Sequence, residues 1–371
     1  MKLATTDTSL IAGKYIPSNP DNVLWGEIPS SKDGAIARLT SGEIVTIDTV
    51  SHEGMMEDQG RDPAAWFASR GVDPSLIPND VIDIARDFKG RNAESEGPHI
   101  VTGPIEIVDA LPGDIIKVDF LVLEPRVPFG VVSSRHGFGA LAGEYPTATH
   151  LPLGDPAIEA PGMVCVMCEL DLRSAMPQIT IQPRGGTPPL QFPFAPFLGL
   201  IGVTPDSTSR LNSIPPGDFG GNMDIRNLVV GSSLYLPVQV PGAGLFMGDP
   251  HFAQGHGEVA LTAVEASLRA TLMITLIKSD RAKQILGSLT RPFAEDDSYW
   301  YCVGMDRDLN TAMRSAVREA IRFINERFGI QTEEAVAYLS AATDFVVTQV
   351  VDDVKGVHCQ IRKADFRSYS S

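Results

Sequence analysis

Cysteine is scarce in this 371-residue chain, with four residues too scattered for a disulfide framework. Cys165 and Cys168 have the spacing of a metal or redox pair, but they fall in Met163-Val164-Cys165-Val166-Met167-Cys168, which reads as a strand. Three residues apart on a strand means opposite faces, so buried free thiols and a reducing, cytoplasmic setting are expected. Aromatic residues make up only 7%, with three Trp, which leaves little surface for stacking sugars. Basic residues are outnumbered, 30 Lys+Arg against 46 Asp+Glu, and the formal charge of −16 repels phosphate backbones and anionic membranes. Neither nucleic acid nor membrane is therefore expected as a partner. No run approaches the ~20 apolar residues that span a bilayer, and the first residues lack the apolar segment of an export signal. Missing too are the HExxH and CxxC…CxxC zinc signatures, a Ser nucleophile elbow and a P-loop. Gly139-Ala140-Leu141-Ala142-Gly143 and Gly242-Ala243-Gly244 lack the spacing of a dinucleotide fingerprint.

What is present is β-forming sequence broken at short intervals. The 34 Gly and 28 Pro are spread throughout, and between them lie short apolar runs at 44–47, 105–108, 115–123, 163–170, 228–240 and 259–276. Pro-Gly-Asp turns recur at Pro112-Gly113-Asp114 and Pro216-Gly217-Asp218. The expected class is mainly β (α+β), with sandwich- or barrel-like units and long loops. Helices are expected after Asp62-Pro63, from a cap at Asn79 over 80–86, and over 309–328, where Leu309, Met313, Val317, Ala320, Ile321 and Ile324 recur at helical spacing. Gly329 ends that helix, Thr332 caps the next one over 333–340, and 344–351 reads as a closing strand. The expected division is a β-rich part over 1–125, a central β part over 126–290 and a helical part over 291–371.

The densest chemistry lies at Gly248-Asp249-Pro250-His251-Phe252-Ala253-Gln254-Gly255-His256-Gly257-Glu258. Asp249 and His251 are two apart, as are His256 and Glu258, and in extended backbone that spacing puts both members of a pair on one face. Converging carboxylates and imidazoles are the donors a borderline cation such as zinc accepts. A polar turn between strands is the structural alternative. Other polar clusters are His52-Glu53 with Asp58-Gln59 after a strand, His99 before one, and His136 in Ser133-Ser134-Arg135-His136-Gly137. A further one is Gly220-Gly221-Asn222-Met223-Asp224, where Asn222 suits a carbonyl and Asp224 a metal or a proton. Each of these also reads as an ordinary loop or turn. His150 and His358 have no clustered partners.

Taken in series, several segments resemble the acetamidase/formamidase family. They include Gly220-Gly221-Asn222-Met223-Asp224, Gly231-Ser232-Ser233-Leu234-Tyr235-Leu236-Pro237-Val238, the 248–258 run, Thr102-Gly103-Pro104-Ile105, Pro112-Gly113-Asp114 and Pro196-Phe197-Leu198-Gly199-Leu200-Ile201-Gly202-Val203. The resemblance implies a cytoplasmic homo-oligomer with jelly-roll-like and barrel-like parts and no organic cofactor. It also implies metal-assisted hydrolysis of short aliphatic amides to a carboxylic acid and ammonia. Carried over by motif, Asn222, Asp224, Asp249, His251 and Glu258 line the site, and His99 matches the position before the Thr-Gly-Pro turn. His256 stands where an acid is usual, and the Ser51-His52-Glu53 and 133–139 segments also depart, which suggests a divergent branch.

The expected mechanism places a divalent cation, zinc first and calcium second, on Asp224, Asp249, His251 and His52 or His99. Glu258 is the general base, and Asn222 or His136 donates to the oxyanion. A metal-free version, with Glu258 or Asp249 activating water and His251 as acid, is the alternative within the same class. A non-catalytic ligand-binding β module and a lactam-opening hydrolase compete with it. Phe192, Phe194 and Phe197 are assigned to core packing or to the wall of a small acyl pocket.

Overall fold

The computed structural model describes residue 3 and residues 11–147, 162–183 and 185–369. His150 lies outside the described residues. The described chain is mostly β, as its short apolar runs between Gly and Pro predict, with its longest helix near the C-terminus. A nine-stranded sheet runs in the order Lys14–Ile16, Glu43–Thr49, Leu268–Ile277, Ile115–Pro125, Ser233–Pro237, Phe293–Glu295, Tyr299–Asp306, Lys355–Arg362, Asp344–Gln349. It draws strands from each of the stretches 1–125, 126–290 and 291–371, so distant parts of the sequence share one ladder of hydrogen bonds.

The second large sheet positions the chemistry. Its order is Gly220–Asn222, Phe197–Val203, Leu245–His251, Ile100–Ile107, Val23–Trp25, with Ala37–Leu39 also beside Ile100–Ile107. Every residue of Phe197–Val203 and Leu245–His251 is buried. Strands covered on both faces read as near-continuous apolar runs, which is why Phe-Leu-Gly-Leu-Ile-Gly-Val shows no alternation. In such a strand Asp249 and His251 are exceptions that need partners. Phe197 pairs with His251 across the ladder, which sets the imidazole at the end of the sheet. A four-stranded sheet, Leu190–Pro193, Gln178–Ile181, Met163–Asp171, Phe129–Arg135, leads its last strand toward the same end. On Met163–Asp171, Cys165 and Cys168 are both buried and free. Cys165 Sγ lies 3.3 Å from the Ser133 hydroxyl, whereas Cys168 Sγ faces the Val166 carbonyl at 3.8 Å.

The helix Leu309–Phe328 matches its sequence signal. Asp308 caps it by accepting from the Thr311 N–H, Gly329 ends it in the left-handed conformation, and Ala312, Ala316, Ala320, Phe323 and Ile324 form its buried stripe. Pro63–Ala68 begins after the Asp62 cap as expected. Two caps differ from expectation. Asn79 is the first residue of Asn79–Asp87, not its cap, because Pro78 takes the cap position with extended backbone. Thr332 is likewise the first residue of Thr332–Ala342, preceded by Gln331. The 344–351 strand is shorter, Asp344–Gln349, and the sheet continues inward to Lys355–Arg362. The apolar run at 259–276 becomes regular only at Leu268–Ile277, and its first part is an irregular connection.

Candidate metal and catalytic site

Six separate segments converge at the end of the second sheet. Asp249 and His251 come from Leu245–His251, Asn222 from Gly220–Asn222, and Asp224 from the turn that follows. His52 follows Glu43–Thr49, His99 immediately precedes Ile100–Ile107, and Glu258 lies on the loop after Leu245–His251. All are at least nine-tenths buried. Two acids join them that the sequence reading did not single out, Glu265 and Asp352. Glu265 sits opposite His251 in an isolated antiparallel bridge, so the irregular connection before Leu268–Ile277 carries its carboxylate onto the imidazole. Asp352 arrives through the C-terminal hairpin. The Gly257 N–H donates to the Thr348 carbonyl at 2.9 Å, and the Gln349 side chain accepts from the Asp352 N–H at 3.2 Å.

His251 is the hub. Its Nε2 lies 3.0 Å from Asp249 Oδ2 and 3.0 Å from Glu265 Oε1, and its Nδ1 lies 3.7 Å from Asp224 Oδ1. The ring of Phe197 meets it edge-on, with centroids 4.9 Å apart at 80°. His52 Nδ1 and His99 Nε2 each stand 3.9 Å from Asp249 Oδ1. The other nitrogen of His99 is held by the Ser213 hydroxyl at 2.9 Å. Four overlapping triads bring their donor atoms within 4.8 Å of one another: His52–Asp249–Glu265, Asp224–Asp249–His251, His251–Glu258–Glu265 and Asp224–Glu258–Asp352.

Three of the site acids are held in left-handed backbone: Asp224 at φ 53°, Asp249 at 48° and Glu258 at 45°. That region is sparsely populated by residues with a Cβ, and such outliers persist where the surrounding structure enforces them, often at functional sites. Gly199 completes the enclosure. A Cβ there would collide with Asp224 Oδ1 and come within 2.5 Å of His251 Cε1 and 2.7 Å of Asp249 Oδ2.

Five carboxyls packed together in a dry site strain one another's ionisation. Burial, then the Asp224 charge, pushes the Glu258 carboxyl well above its usual range. Burial and Asp249 do the same to Glu265, and burial with Asp224 and Glu258 does so to Asp352. For Asp249 burial opposes ionisation, but the imidazoles of His251, His99 and His52 outweigh it and hold the carboxyl low. Burial lowers His52 and His99 to about 4, with the Asp249 charge opposing. His251 is pushed up despite its burial, because the Asp249 and Glu265 carboxylates both stabilise its cation.

The donor set fits a divalent cation. Asp224 Oδ1, Asp249 Oδ1, both nitrogens of His251, Glu258 Oε2, Glu265 Oε2, Asp352 Oδ2 and Asn222 Oδ1 are buried without a hydrogen-bond partner. The 3.0 Å contacts of His251 Nε2 are therefore close approaches without hydrogen-bond alignment. Donor atoms about 3 Å apart are what ligands show when they share an ion at roughly 2.1 Å each. Leaving so many acceptors unpaired is costly unless a positive charge satisfies them.

Residues 207–361 match the family model described as the acetamidase/formamidase family. The matched range contains Asn222, Asp224, Asp249, His251, Glu258, Glu265 and Asp352, while His52 and His99 precede it. The chain is 28% identical over 305 residues to a formamidase from Methylophilus methylotrophus, covering 70% of this chain and 74% of that protein. It is 30% identical over 252 residues to an acetamidase from Mycolicibacterium smegmatis, covering 57% and 60%. In three dimensions it is similar to the crystal structure of an acetamidase from Yersinia enterocolitica, with a TM-score of 0.71 and 26% identity over 98% of this chain and 93% of that one. The family's mostly β architecture is thus that of this chain.

The geometry leaves some expected residues outside the cluster. His136 is exposed, and its Nδ1 faces the Pro146 carbonyl at 2.9 Å. The strand Phe129–Arg135 ends just before it, and the turn carries its ring away from the buried acids. His256 also turns away, its ring tilted at 52° to that of His358 with centroids 5.4 Å apart. Phe192 and Phe194 pack against the main core, and Phe197 supports His251 without walling an acyl pocket. Glu265 had a legible signal, a lone acid inside an apolar run. Asp352 had none, because an acid after a strand is ordinary sequence.

Proposed function

We propose that this chain is an amidohydrolase that cleaves the C–N bond of linear amides to a carboxylic acid and ammonia, using a divalent cation bound at the cluster. The observation that supports it most directly is the convergence of buried, unpartnered carboxylate and imidazole atoms in a domain of the acetamidase/formamidase family. Asp224, Asp249 and His251, with His52 or His99, would hold the ion. Mixed nitrogen and oxygen donors favour zinc, with calcium favoured only if the carboxylates dominate. Such an ion, when bound, polarises a carbonyl and acidifies water.

The chain's own residues supply the rest. Asn222 lines the cavity with its Oδ1 unpartnered, which supports a role for its carboxamide beside the reacting amide. Glu258 is the general base that takes a proton from water and returns it to the leaving nitrogen. Burial and the Asp224 charge raise its carboxyl, the direction that strengthens a carboxylate as a base. Glu265 supports His251 from the irregular connection before Leu268–Ile277, and Asp352 closes the acidic wall next to Glu258. Burial of the site excludes bulk water, which strengthens each of these interactions.

The deciding experiment measures ammonia release from formamide, acetamide and propionamide by the purified protein, before and after chelation and after zinc or calcium is restored. Release that chelator abolishes and one cation restores is expected. Undiminished release without metal favours direct activation of water by Glu258 or Asp249. No release from any amide with metal present favours a ligand-binding role, and ring opening of a small lactam in that case identifies the lactam-opening alternative.

A further inference from the structure

The cluster forms the floor of a cavity of ≈ 640 Å³. Pockets of about 300–1,000 Å³ enclose ligands of drug size, and a three- or four-heavy-atom amide leaves most of such a space unfilled. The upper wall is largely apolar, with Met56, Phe138, Ile214, Leu261, Val350 and Val351 all facing it.

Two of these residues are placed in ways that core packing does not explain. Phe138 is 54% exposed. It sits between Gly137 and Gly139, both in left-handed backbone at φ 88° and 79°, and a Cβ on Gly139 would come within 2.9 Å of the Ala260 carbonyl. The Ala140 N–H donates to the Val259 carbonyl at 3.0 Å, so a tied turn presents the ring at the rim. Leu261 has φ 124°, a region that a branched side chain avoids and that glycine normally supplies. The chain keeps leucine there, on the cavity wall between Glu258 and Glu265 in sequence.

The charges at the rim decide the polarity of what enters. Arg135 is paired with Asp58 at 2.7 Å, Arg91 lies 3.6 Å from Glu96, and Asp353 is paired with Arg307 at 2.7 Å. Lys355 donates to the Arg307 carbonyl at 2.7 Å. Among the described residues each rim acid faces a cation, the Arg135 and Arg91 guanidiniums both lie beside carboxylates, and the Lys355 ammonium is held by a carbonyl.

We infer that Phe138 and Leu261 form an apolar subsite above the reactive cluster, and that the preferred substrate is a neutral amide bearing an aryl or branched alkyl group larger than methyl. This rests on the amide-hydrolase reading given above and names the substrate class for the same site. The reaction is unchanged: water adds to the carbonyl carbon, the C–N bond breaks, and the amine leaves with the proton.

The test compares kcat/KM for acetamide, isobutyramide, phenylacetamide and N-benzylformamide in the wild type and in Phe138→Ala. The wild type is expected to prefer at least one of the bulky amides to acetamide by tenfold or more. The Phe138→Ala change is expected to reduce that preference about tenfold, the scale of lost apolar contact in a binding pocket. In parallel, binding of N-benzylacetamide to the Glu258→Gln protein is followed by calorimetry, with and without Phe138→Ala. Hydrolysis of acetamide with no preference for bulk, or a preference indifferent to Phe138, overturns the subsite and leaves amide hydrolysis standing. Phe138-dependent binding with no hydrolysis of any amide by the wild type supports the subsite and overturns the hydrolase reading. Absence of both binding and bulky-amide turnover overturns the inference.

Discussion

The sharpest single perturbation of the cluster is Gly199→Ala, which removes no titrating group. Gly199 lies in the buried strand Phe197–Val203, and its backbone is not in the left-handed region, so an added methyl strains no dihedral. The methyl would instead press on three groups at once: Asp224 Oδ1, His251 Cε1 at 2.5 Å and Asp249 Oδ2 at 2.7 Å. Restoring ordinary contacts of about 3.4 Å requires a displacement on the order of 1 Å shared among those side chains. Overpacking of this size costs about 1–3 kcal/mol of stability, which a chain with this much buried core tolerates. Catalysis is far more sensitive, because a misplacement of about 1 Å in an active-site constellation lowers rates on the order of 100-fold. The expected result is a folded protein with kcat/KM for amides reduced about 100-fold and weakened zinc affinity. Circular dichroism, thermal melting and a metal-competition titration, run beside the amidase assay, separate these effects. Wild-type activity and wild-type metal affinity in Gly199→Ala would refute the claim that Asp224, Asp249 and His251 act as one preorganised unit.

Three further outcomes are expected. Glu258→Gln should bind the cation with near wild-type affinity and lose about 10²–10⁴ in kcat, the range for removing a general base, as measured by ammonia release and by metal analysis of the same sample. Stripping the cation should lower the thermal midpoint, because the buried acids then repel one another; a ligand at 100 times its Kd contributes about 2.7 kcal/mol, so a midpoint unmoved by chelator speaks against a bound ion. Away from the site, Asp48 is buried beneath Arg269 at 2.7 and 2.9 Å and the Tyr15 hydroxyl at 2.6 Å. Burial opposes its ionisation, but Arg269 and Arg126 hold its carboxyl below the usual range. A lowered carboxyl contributes stability that is present above the ordinary pKa of about 3.9 and is lost as pH falls through the lower folded value. Asp48→Asn should therefore cost about 3–5 kcal/mol in urea unfolding at neutral pH, and the gap between the two proteins should narrow in acid.

Local rules made much of the architecture legible. Leu309–Phe328 could be read from its apolar spacing and its Gly329 stop, which depend on neighbours within a few positions; the Asp308 cap came from the structure. The caps at Asn79 and Thr332 lie one residue earlier, at Pro78 and Gln331, whose extended backbone starts each helix without a side-chain cap. Of the site, Asp249 and His251 were visible by their two-residue spacing in the dense polar run 248–258, and Asn222 and Asp224 as a Gly-Gly turn. Glu265 stood out only as a lone acid within the 259–276 apolar run, and nothing local tied it to His251. His136 appeared equivalent to His99 in sequence, and only the direction of the chain after Phe129–Arg135 separates them.

By itself the sequence determined the β-rich class, the family resemblance and the inventory of acids and imidazoles, because propensity, periodicity and motif are properties of adjacent residues. Which of those acids share a charge environment was decided by the tertiary structure alone. Electrostatic coupling depends on separation in space, and the bridge that sets Glu265 against His251 and the hairpin that delivers Asp352 join segments whose order along the chain carries no trace of that separation.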